Sequence, residues 1–195
     1  LSGDTGAYIR TTMGAMRLFG APPEKYWPYT VRKHAGTSGE RTFDEEPSAF
    51  CYQFADNFKA LSYFKYDIPG VTLPNVLKKI KYYLSANLPA MFGFTVYLSI
   101  NQARVTGKIP FPCRTDRVLG GHAVVAVGYD DNIEVTNSID NSKTKGAFLI
   151  RNSWGTGWGD RGYGWLPYQY ALRGLARDWW TLFRSEYVKT KQFGF

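Results

Sequence analysis

Hydrophobic residues recur at helical spacing three times in the first half of the chain. The first predicted helix places Ile9, Met13 and Met16 on one buried face. Asp4 or Thr5 is expected to cap its N-terminus, and a glycine followed closely by two prolines is expected to end it. The chain therefore opens with an amphipathic helix.

A second short helix is predicted to begin at Pro47, after a polar segment at residues 32–46 that is typical of a surface loop. Its large apolar side chains recur at the spacing of one helix face. They are Phe50, Phe54, Phe58 and Leu61.

A third helix is predicted to start at Thr72 and Pro74 and to end before Pro89. Its apolar positions again share one face, which is expected to point into the core. They are Leu73, Leu77, Ile80 and Leu84.

From residue 90 onward the pattern becomes typical of strands. The run AMFGFTVYLSI at residues 90–100 predicts a β-strand, and further strands are expected at 123–129, 147–151 and 163–166. The polar residues 130–145 are expected to form a long hairpin tip. The second half of the chain is therefore predicted to be mainly antiparallel sheet.

Helices followed by strands favour the α+β fold class. A lobe boundary is expected near residues 67–71. It would separate a helical lobe at 1–70 from a β-rich lobe at 71–195, with a cleft between the two.

Composition and charge restrict the possible partners. With 44% hydrophobic and 17% aromatic residues in 195, the protein can bury a core of its own. No apolar run approaches the roughly 20 residues that a membrane-spanning helix requires. The net charge of +8 comes from scattered basic residues, and the tightest group, Lys78, Lys79 and Lys81, is typical of a solvated helix face. Neither nucleic acid nor a membrane is therefore expected as a partner.

The cysteine content is low. Only Cys51 and Cys113 occur, so at most one internal disulfide can form, which excludes a disulfide-dense scaffold and leaves the redox compartment open. The first residues, LSGDTG, contain neither an initiator methionine nor the features of a signal peptide. The chain is expected to be the interior of a longer precursor.

Two adjacent strand ends carry the candidate chemistry. Gly120 and Gly121 leave room for a peptide close to the backbone immediately before His122. Asn152 follows the next apolar strand, and its amide oxygen can accept a hydrogen bond from one ring nitrogen and direct the other toward a nucleophile. Trp154 is placed to cover that bond and exclude water.

Each of these residues also has an ordinary structural interpretation. A histidine at a strand start is more often a surface or packing residue, asparagine before serine commonly forms turns, and tryptophan with glycine commonly builds sheet corners. Their joint occurrence favours a histidine oriented for nucleophilic catalysis, and a neutral asparagine suits a thiolate partner. The sequence thus predicts a thiol-dependent hydrolase.

The segments GGHAVVAVGYDD, from Gly120, and FLIRNSWGTGWGDRGYGWLPYQY, from Phe148, resemble the papain family of cysteine peptidases. The upstream segment GAYIRTTMGAMRLFGAPPEKYWPY is also similar to that family, so the resemblance spans nearly the whole chain. The sequences WLPYQY, from Trp165, and ARDWW, from Ala176, are closer to those of the short bacterial members of the family than to those of the cathepsins. The resemblance implies a papain-like two-lobe fold, with a helical lobe and an antiparallel β-barrel-like lobe on either side of the active-site cleft.

The resemblance also implies roles for individual residues. His122 would be the general base and acid of a Cys-His-Asn triad, and Asn152 would orient it. Trp154 would shield this pair from water, and Trp158 would form part of the primed-side wall of the cleft.

Substrate contacts are implied in the same way. Gly6 would pair with the substrate backbone, and Ile9, Gly93 and Gly120 would surround the pocket for the second residue before the cut. Together with the open backbone at Gly121, these residues imply a roomy apolar pocket for large hydrophobic side chains.

One family segment has no match in this chain. The glutamine and nucleophilic cysteine of a Q-G-x-C-G-S-C-W-like segment are missing, so both are expected upstream of Leu1 and the 195 residues alone are expected to be nearly inert. Cys51 is expected to be a packing thiol, and Cys113 a free or intermolecular thiol.

Several functions follow from the resemblance. The first is a cysteine endopeptidase acting on polypeptides, with an inhibitory propeptide or N-terminal segment as a partner and with no cofactor or metal. A non-catalytic peptide-binding module and a Cys-His-Asn acyltransferase are the alternatives. A secreted or extracytoplasmic location is implied by the resemblance alone.

Overall fold

The computed structural model describes residues 6–30, 45–60 and 62–183. The chain forms two compact units, one that contains the residues up to Tyr63 together with Phe183 and one that is Phe64–Leu182. The predicted lobe boundary at residues 70 and 71 stays a prediction. None of the described helices is both long and apolar enough to cross a membrane.

The first unit begins with helix α1, Ile9–Leu18. Its N-cap is Tyr8, whose side chain makes no capping hydrogen bond, so the predicted capping by Asp4 or Thr5, which lie outside the described residues, is wrong. The physical reason is the left-handed backbone at Gly6, with φ of 69°, because this conformation cannot continue a helix from the preceding residues.

Only one of the three predicted core positions of α1 is fully buried. Met13 is 1% exposed, whereas Ile9 and Met16 are half-buried. After α1, Gly20 adopts φ of 77° and its Cα lies against the carbonyl of Ala55, so closely that no side chain fits there. This close approach holds the end of α1 beside the second helix.

Helix α2, Ala49–Ala55, starts after Ser48, whose hydroxyl accepts a hydrogen bond from the Cys51 amide. A 3₁₀ turn, Asp56–Phe58, follows it. The helix does not begin at Pro47 as predicted, because Ser48 supplies the cap. The predicted loop at residues 32–46 lies mostly outside the described residues.

The predicted buried face of α2 is partly wrong. Cys51 and Ala55 are the buried residues of the helix, whereas Phe50 is 55% exposed. The phenylalanines instead pack ring on ring, with centroids 5.7 Å apart for Phe50 and Phe54 and 4.9 Å for Phe54 and Tyr26. Aromatic contacts along the surface therefore replace insertion into the core. Leu61, the last residue of the predicted stripe, lies outside the described residues.

The second unit contains helix α3, Leu73–Ser85, with Thr72 as its N-cap, and its predicted start is confirmed. The buried residues are Val76, Ile80 and Leu84. Leu73, predicted to point inward, is 38% exposed because it is the first residue of the helix, where a terminal turn has fewer packing neighbours.

Six strands form one sheet in the order β1-β6-β2-β3-β4-β5. Strand β2 pairs antiparallel with β3 and β6, and β4 pairs antiparallel with β3 and β5. The α+β class is confirmed, although the described strands form an open sheet with β1 and β5 at its edges rather than a closed barrel. The strands are β1 Ser62–Lys65, β2 Ala90–Tyr97, β3 Val118–Thr136, β4 Lys143–Arg151, β5 Tyr163–Pro167 and β6 Ala176–Phe183.

Short helical segments connect these strands. A 3₁₀ segment, Leu98–Gln102, leads into α4, Ala103–Thr106, and α5, Tyr168–Leu172, lies between β5 and β6. In the core, Phe92 of β2 stacks on Trp179 of β6 with ring centroids 3.8 Å apart, and both side chains are buried.

The predicted hairpin tip at residues 130–145 is wrong, because the β3 and β4 ladder continues through most of it. The register shifts between Asp130 and Glu134, as at a β-bulge, and pairing then resumes. Val135, in the resumed part of the ladder, is 2% exposed and packs in the interior. The turn itself is held by Asn137, whose side chain donates to the Phe111 carbonyl at 3.0 Å.

Helix α3 is tied to β3 by an ion pair. Lys81 Nζ lies 2.6 and 2.9 Å from the two carboxylate oxygens of Asp131 and also over the ring of Tyr129. The Lys81 side chain is 27% exposed and Asp131 is 56% exposed, so the predicted solvated face also carries a surface ion pair to β3. Hydrogen bonds from Lys81 and from the Tyr168 hydroxyl hold the pKa of Asp131 below its usual value of 3.8.

This ion pair predicts a pH-dependent stability. A carboxyl group whose pKa is lower in the folded state stabilises the fold above its unfolded pKa and loses that contribution as the pH falls through the folded value. Asp131→Asn should therefore lower the melting temperature of the full-length protein at pH 7 by about 1 to 4 °C, a small value because the pair is partly exposed. The difference should shrink by pH 3, and Glu134→Gln on the same strand is the control. An equal difference at both pH values would contradict the assignment.

Candidate active site

The centre of the site is a hydrogen bond between two side chains on adjacent strands. His122 lies on β3 opposite Phe94 of β2, and Asn152 is the first residue after β4. His122 Nε2 and Asn152 Oδ1 are 2.8 Å apart, and both residues are half-buried. When Nε2 carries the proton of the neutral ring, Nδ1 holds a free electron pair and can act as a base.

The backbone fixes the amide of Asn152. Its own N–H donates to the Gly162 carbonyl at 2.9 Å, and its side-chain oxygen also accepts the Ser153 N–H at 2.8 Å. The amide oxygen therefore receives two donors, one from the imidazole and one from the backbone. This arrangement defines which end of the amide faces His122.

The imidazole is held between aromatic rings. Trp154 stacks on it, with centroids 4.7 Å apart and an interplanar angle of 22°. The ring of Phe94 contacts it edge-on at 6.0 Å. Trp154 is 45% exposed, so one face of the indole meets solvent while the other lies against His122.

Trp158 supports Trp154 from below. It is 8% exposed and meets the Trp154 ring edge-on, with centroids 5.4 Å apart. Its six-membered ring lies on Gly164, where an added Cβ would be only 2.7 Å from Cη2 of the indole. A residue with any side chain at position 164 would therefore displace Trp158. The predicted place of Trp158 in a cleft wall stays a prediction.

Gly107, which follows α4, lies against the strand that carries Gly164, and its position was not predicted from the sequence. It has φ of 69°, and a Cβ there would lie 2.6 Å from the Tyr163 carbonyl oxygen. Its own carbonyl accepts the Trp165 N–H at 2.7 Å, while the Gly159 N–H donates to the Arg104 carbonyl. The only signal in the sequence was a glycine, which also occurs in ordinary turns.

The predicted glycines of β2 and β3 lie near the imidazole. Gly93 pairs with Ala123, and Gly120 pairs with Val96. A Cβ added at Gly120 or Gly121 would meet no atom within 4 Å, and Gly120 has φ of 149°, which disfavours other residues. The backbone before His122 is therefore open, as close approach of a peptide requires.

The other two predicted substrate residues lie in the first unit. Gly6 is exposed and precedes α1, and Ile9 is the half-buried first residue of that helix. Their contacts with a substrate stay predictions.

Both cysteines are free. Cys51 is 3% exposed, and its sulfur accepts a hydrogen bond from the Ser48 hydroxyl at 3.3 Å. Cys113 is half-buried, with its sulfur 3.4 Å from the Thr115 hydroxyl. Each thiol thus has a local polar partner.

Several known proteins are similar to this chain in sequence or in fold. The family model described as papain family cysteine protease matches residues 6–177. An uncharacterized peptidase C1-like protein of Acanthamoeba polyphaga mimivirus is 33% identical over 183 residues, which cover 92% of this chain and 52% of that protein.

Among solved structures, xylellain, a cysteine protease from Xylella fastidiosa, is 35% identical with a TM-score of 0.70, and the match covers 93% of this chain and 63% of that one. The proform of the ragweed pollen cysteine protease Amb a 11 shares the fold at 20% identity and a TM-score of 0.58, over 94% of this chain and 43% of its own. The chain thus spans about half of the curated relative and under two thirds of xylellain.

The family model covers nearly the whole described chain, and the histidine and asparagine motifs lie within the matched residues. The matched structures share the α+β architecture described above. The chain belongs to the papain family of cysteine proteases.

Proposed function

We propose that this chain supplies the base and the orienting residue of a cysteine endopeptidase that cleaves peptide bonds through a Cys-His-Asn triad. The observation that carries the proposal is the 2.8 Å hydrogen bond from His122 Nε2 to Asn152 Oδ1, covered by the stacked ring of Trp154. A packing histidine does not require an amide partner, an indole cover and an open glycine backbone together.

The bond to Asn152 sets the direction of proton transfer. With Nε2 donating to the amide, Nδ1 of His122 takes the proton of a thiol, and the thiolate attacks the carbonyl carbon of the substrate. The tetrahedral intermediate collapses with cleavage of the C–N bond, and His122 gives its proton to the departing amine. A thioester between enzyme and substrate remains.

The second half of the cycle uses the same nitrogen. His122 removes a proton from water, which attacks the thioester carbonyl and releases the carboxylic acid. The proton returns to the leaving thiolate sulfur, so the enzyme is regenerated without a net change in protons on His122. Asn152 carries no charge, which suits a resting pair of thiolate and imidazolium because the pair is already neutral overall.

We propose that the attacking thiol and the oxyanion donor come from a segment upstream of Leu1. The contacts of both cysteines support this proposal, because Cys51 is buried against Ser48 and Cys113 lies beside Thr115, as structural thiols do. The fraction of xylellain left unmatched leaves room for such a segment. The family relationship to a protease solved as a proform supports an inhibitory N-terminal propeptide as a further partner.

Removing the base should abolish turnover. In the full-length protein, His122→Ala should lower kcat/KM for a peptide substrate by at least about 10⁴-fold, because it removes the group that takes the thiol proton in this proposal. The melting temperature should change little. His34→Ala removes the other histidine and should leave the rate unchanged. Hydrolysis by His122→Ala within tenfold of wild type would refute the assignment of His122 as the base. Absence of hydrolysis by the wild-type protein itself would instead favour the peptide-binding module.

Removing the orienter should have a smaller effect. Asn152→Ala should lower kcat/KM by about 10- to 1,000-fold, because the imidazole remains but is no longer held in one orientation. Asn152→Asp keeps an acceptor oxygen and should restore part of the loss. Steady-state kinetics and thermal melts on all three proteins test this, since the half-buried amide also contributes to stability. An undiminished rate in Asn152→Ala would make Asn152 a turn residue only.

The support under Trp154 gives a third test. Gly164→Ala would place a methyl group 2.7 Å from both the Trp158 ring and the Gly107 carbonyl oxygen, so the indole or the backbone beneath it must move, and this disturbs Trp154. We expect kcat/KM to fall by about 10- to 100-fold, within the range that misplacement of catalytic groups produces. Gly128→Ala is the matched control, because its Cβ would make ordinary contacts at 3.7 Å with Leu149. Equal activity of the two variants would show that the position of Trp158 does not affect His122.

A further inference from the structure

A pocket separate from the candidate active site lies wholly within the second unit, on the solvent side of α3. Its volume is about 540 Å³, which is within the range of binding sites for small ligands. None of its lining residues belongs to the candidate active site. The helix contributes Asn75, Lys78, Lys79, Tyr82 and Tyr83, and the chain before it contributes Phe64, Lys65, Tyr66, Gly70 and Val71.

Aromatic rings form the base of this α3 pocket. Phe64, Tyr66 and Tyr83 pack on one another, with centroids 5.0 to 5.3 Å apart. Tyr82 meets Tyr83 edge-on at 5.2 Å and is itself 67% exposed. A large apolar side chain can therefore pack on an aromatic surface that is already rigid.

The rim of the α3 pocket is positively charged. Lys65 is neutralised by Asp178 at 2.8 Å, and Lys81, which does not line the α3 pocket, is neutralised by Asp131. Among the described residues, however, neither Lys78 nor Lys79 has a carboxylate within ion-pair distance. Two ammonium groups of the rim thus have no carboxylate partner in the described part of the chain.

The start of α3 adds to this positive potential. Its N-cap Thr72 makes no side-chain capping bond, and its first turn contains no acidic residue. The positive end of the helix dipole therefore has no acidic side chain within its own first turn, and it lies beside Asn75, which lines the α3 pocket. Leu73, the first residue of α3, lies about 7.5 and 9 Å along the helix from Lys78 and Lys79, given a rise of about 1.5 Å per residue.

We propose that the α3 pocket binds an acidic peptide segment, with a large aromatic side chain on Tyr82 and Tyr83 and flanking carboxylates at Lys78, Lys79 and the start of α3. The spacing of the positive groups favours a peptide over a single compact anion. The start of α3 and the two lysines are about 7.5 to 9 Å apart along the helix, so two carboxylates carried by one flexible segment can reach both regions, which one compact anion cannot. The site would be an exosite, and its binding does not depend on the proposed catalysis.

Direct binding to the full-length protein tests this proposal. The probe is a fluorescein-labelled hexapeptide with the centre Glu-Phe-Glu, followed by anisotropy, and His122→Ala is used as the background so that the probe stays intact. We expect saturable binding that weakens as salt is added, because ion pairs at an exposed site are screened. Peptides with the centre Lys-Phe-Lys or Glu-Ala-Glu should bind at least about tenfold more weakly.

Charge reversal locates the site. Lys78→Glu combined with Lys79→Glu should weaken binding at least about tenfold, because two attractions become repulsions, and Tyr82→Ala should weaken it about fivefold. Lys143→Glu changes an exposed lysine of β4 and should have no effect beyond the general change in charge. If the double variant melts at a lower temperature, Lys78→Gln with Lys79→Gln replaces it.

Three results would overturn the proposal. They are equal affinity after charge reversal, equal affinity for the acidic and basic peptides, and no saturable binding of the acidic peptide. A free aromatic acid or phenyl phosphate that competes as well as unlabelled peptide at the same concentration would also overturn it and indicate a site for small anions. Because hydrolysis is measured separately on wild type, failure of this proposal leaves the catalytic assignment unaffected.

Discussion

The hydrogen bond between His122 and Asn152 depends on the register of β3 against β4. Val125 pairs with Arg151, so the residue after Arg151 is brought level with Val124, two residues along β3 from His122. A shift of one residue would move Asn152 by about 3.3 Å and reverse the faces of every side chain on that strand. The site therefore requires a ladder that is fixed over its full length, and the continuation of that ladder to Val135 and Thr144 supplies it.

The packing below the site depends on glycines, because close backbone contacts there leave no room for a side chain. Three glycines, at positions 107, 159 and 164, allow the backbone after α4 to lie against the loop that follows β4. Their small size brings Trp158 under Trp154, and Trp154 in turn covers the imidazole. A hydrogen bond covered by an indole is less exposed to competing water, so its contribution to orienting His122 is larger than in an open site.

The contact between His122 and Asn152, which the sequence predicted, is present in the structure, whereas parts of the surrounding fold differ from the prediction; the catalytic roles of the two residues stay predictions. His122 and Asn152 stand next to apolar runs whose antiparallel pairing brings their ends together, so local pattern was sufficient. Strand β6 was not anticipated, because its amides at Asp178 and Trp179 bond to the carboxylate of Asp67, more than a hundred residues away in the chain. Such long-range partners leave no local pattern. The hairpin tip was misjudged for a related reason, since polar residues continue a ladder when the partner strand is already in register.

Helix α3 shows how tertiary contacts separate residues that are equivalent in sequence. Lys78, Lys79 and Lys81 lie within one turn, and the periodicity places all three outside the core. Asp131, fifty residues further on, binds Lys81 and draws it against the rings of Tyr129 and Tyr168. That ion pair connects α3 to β3, whereas no carboxylate of the described residues forms an ion pair with the other two lysines. A helix whose buried side is already fixed to the sheet can present such charges in a constant geometry, which is what selective binding of a charged ligand requires.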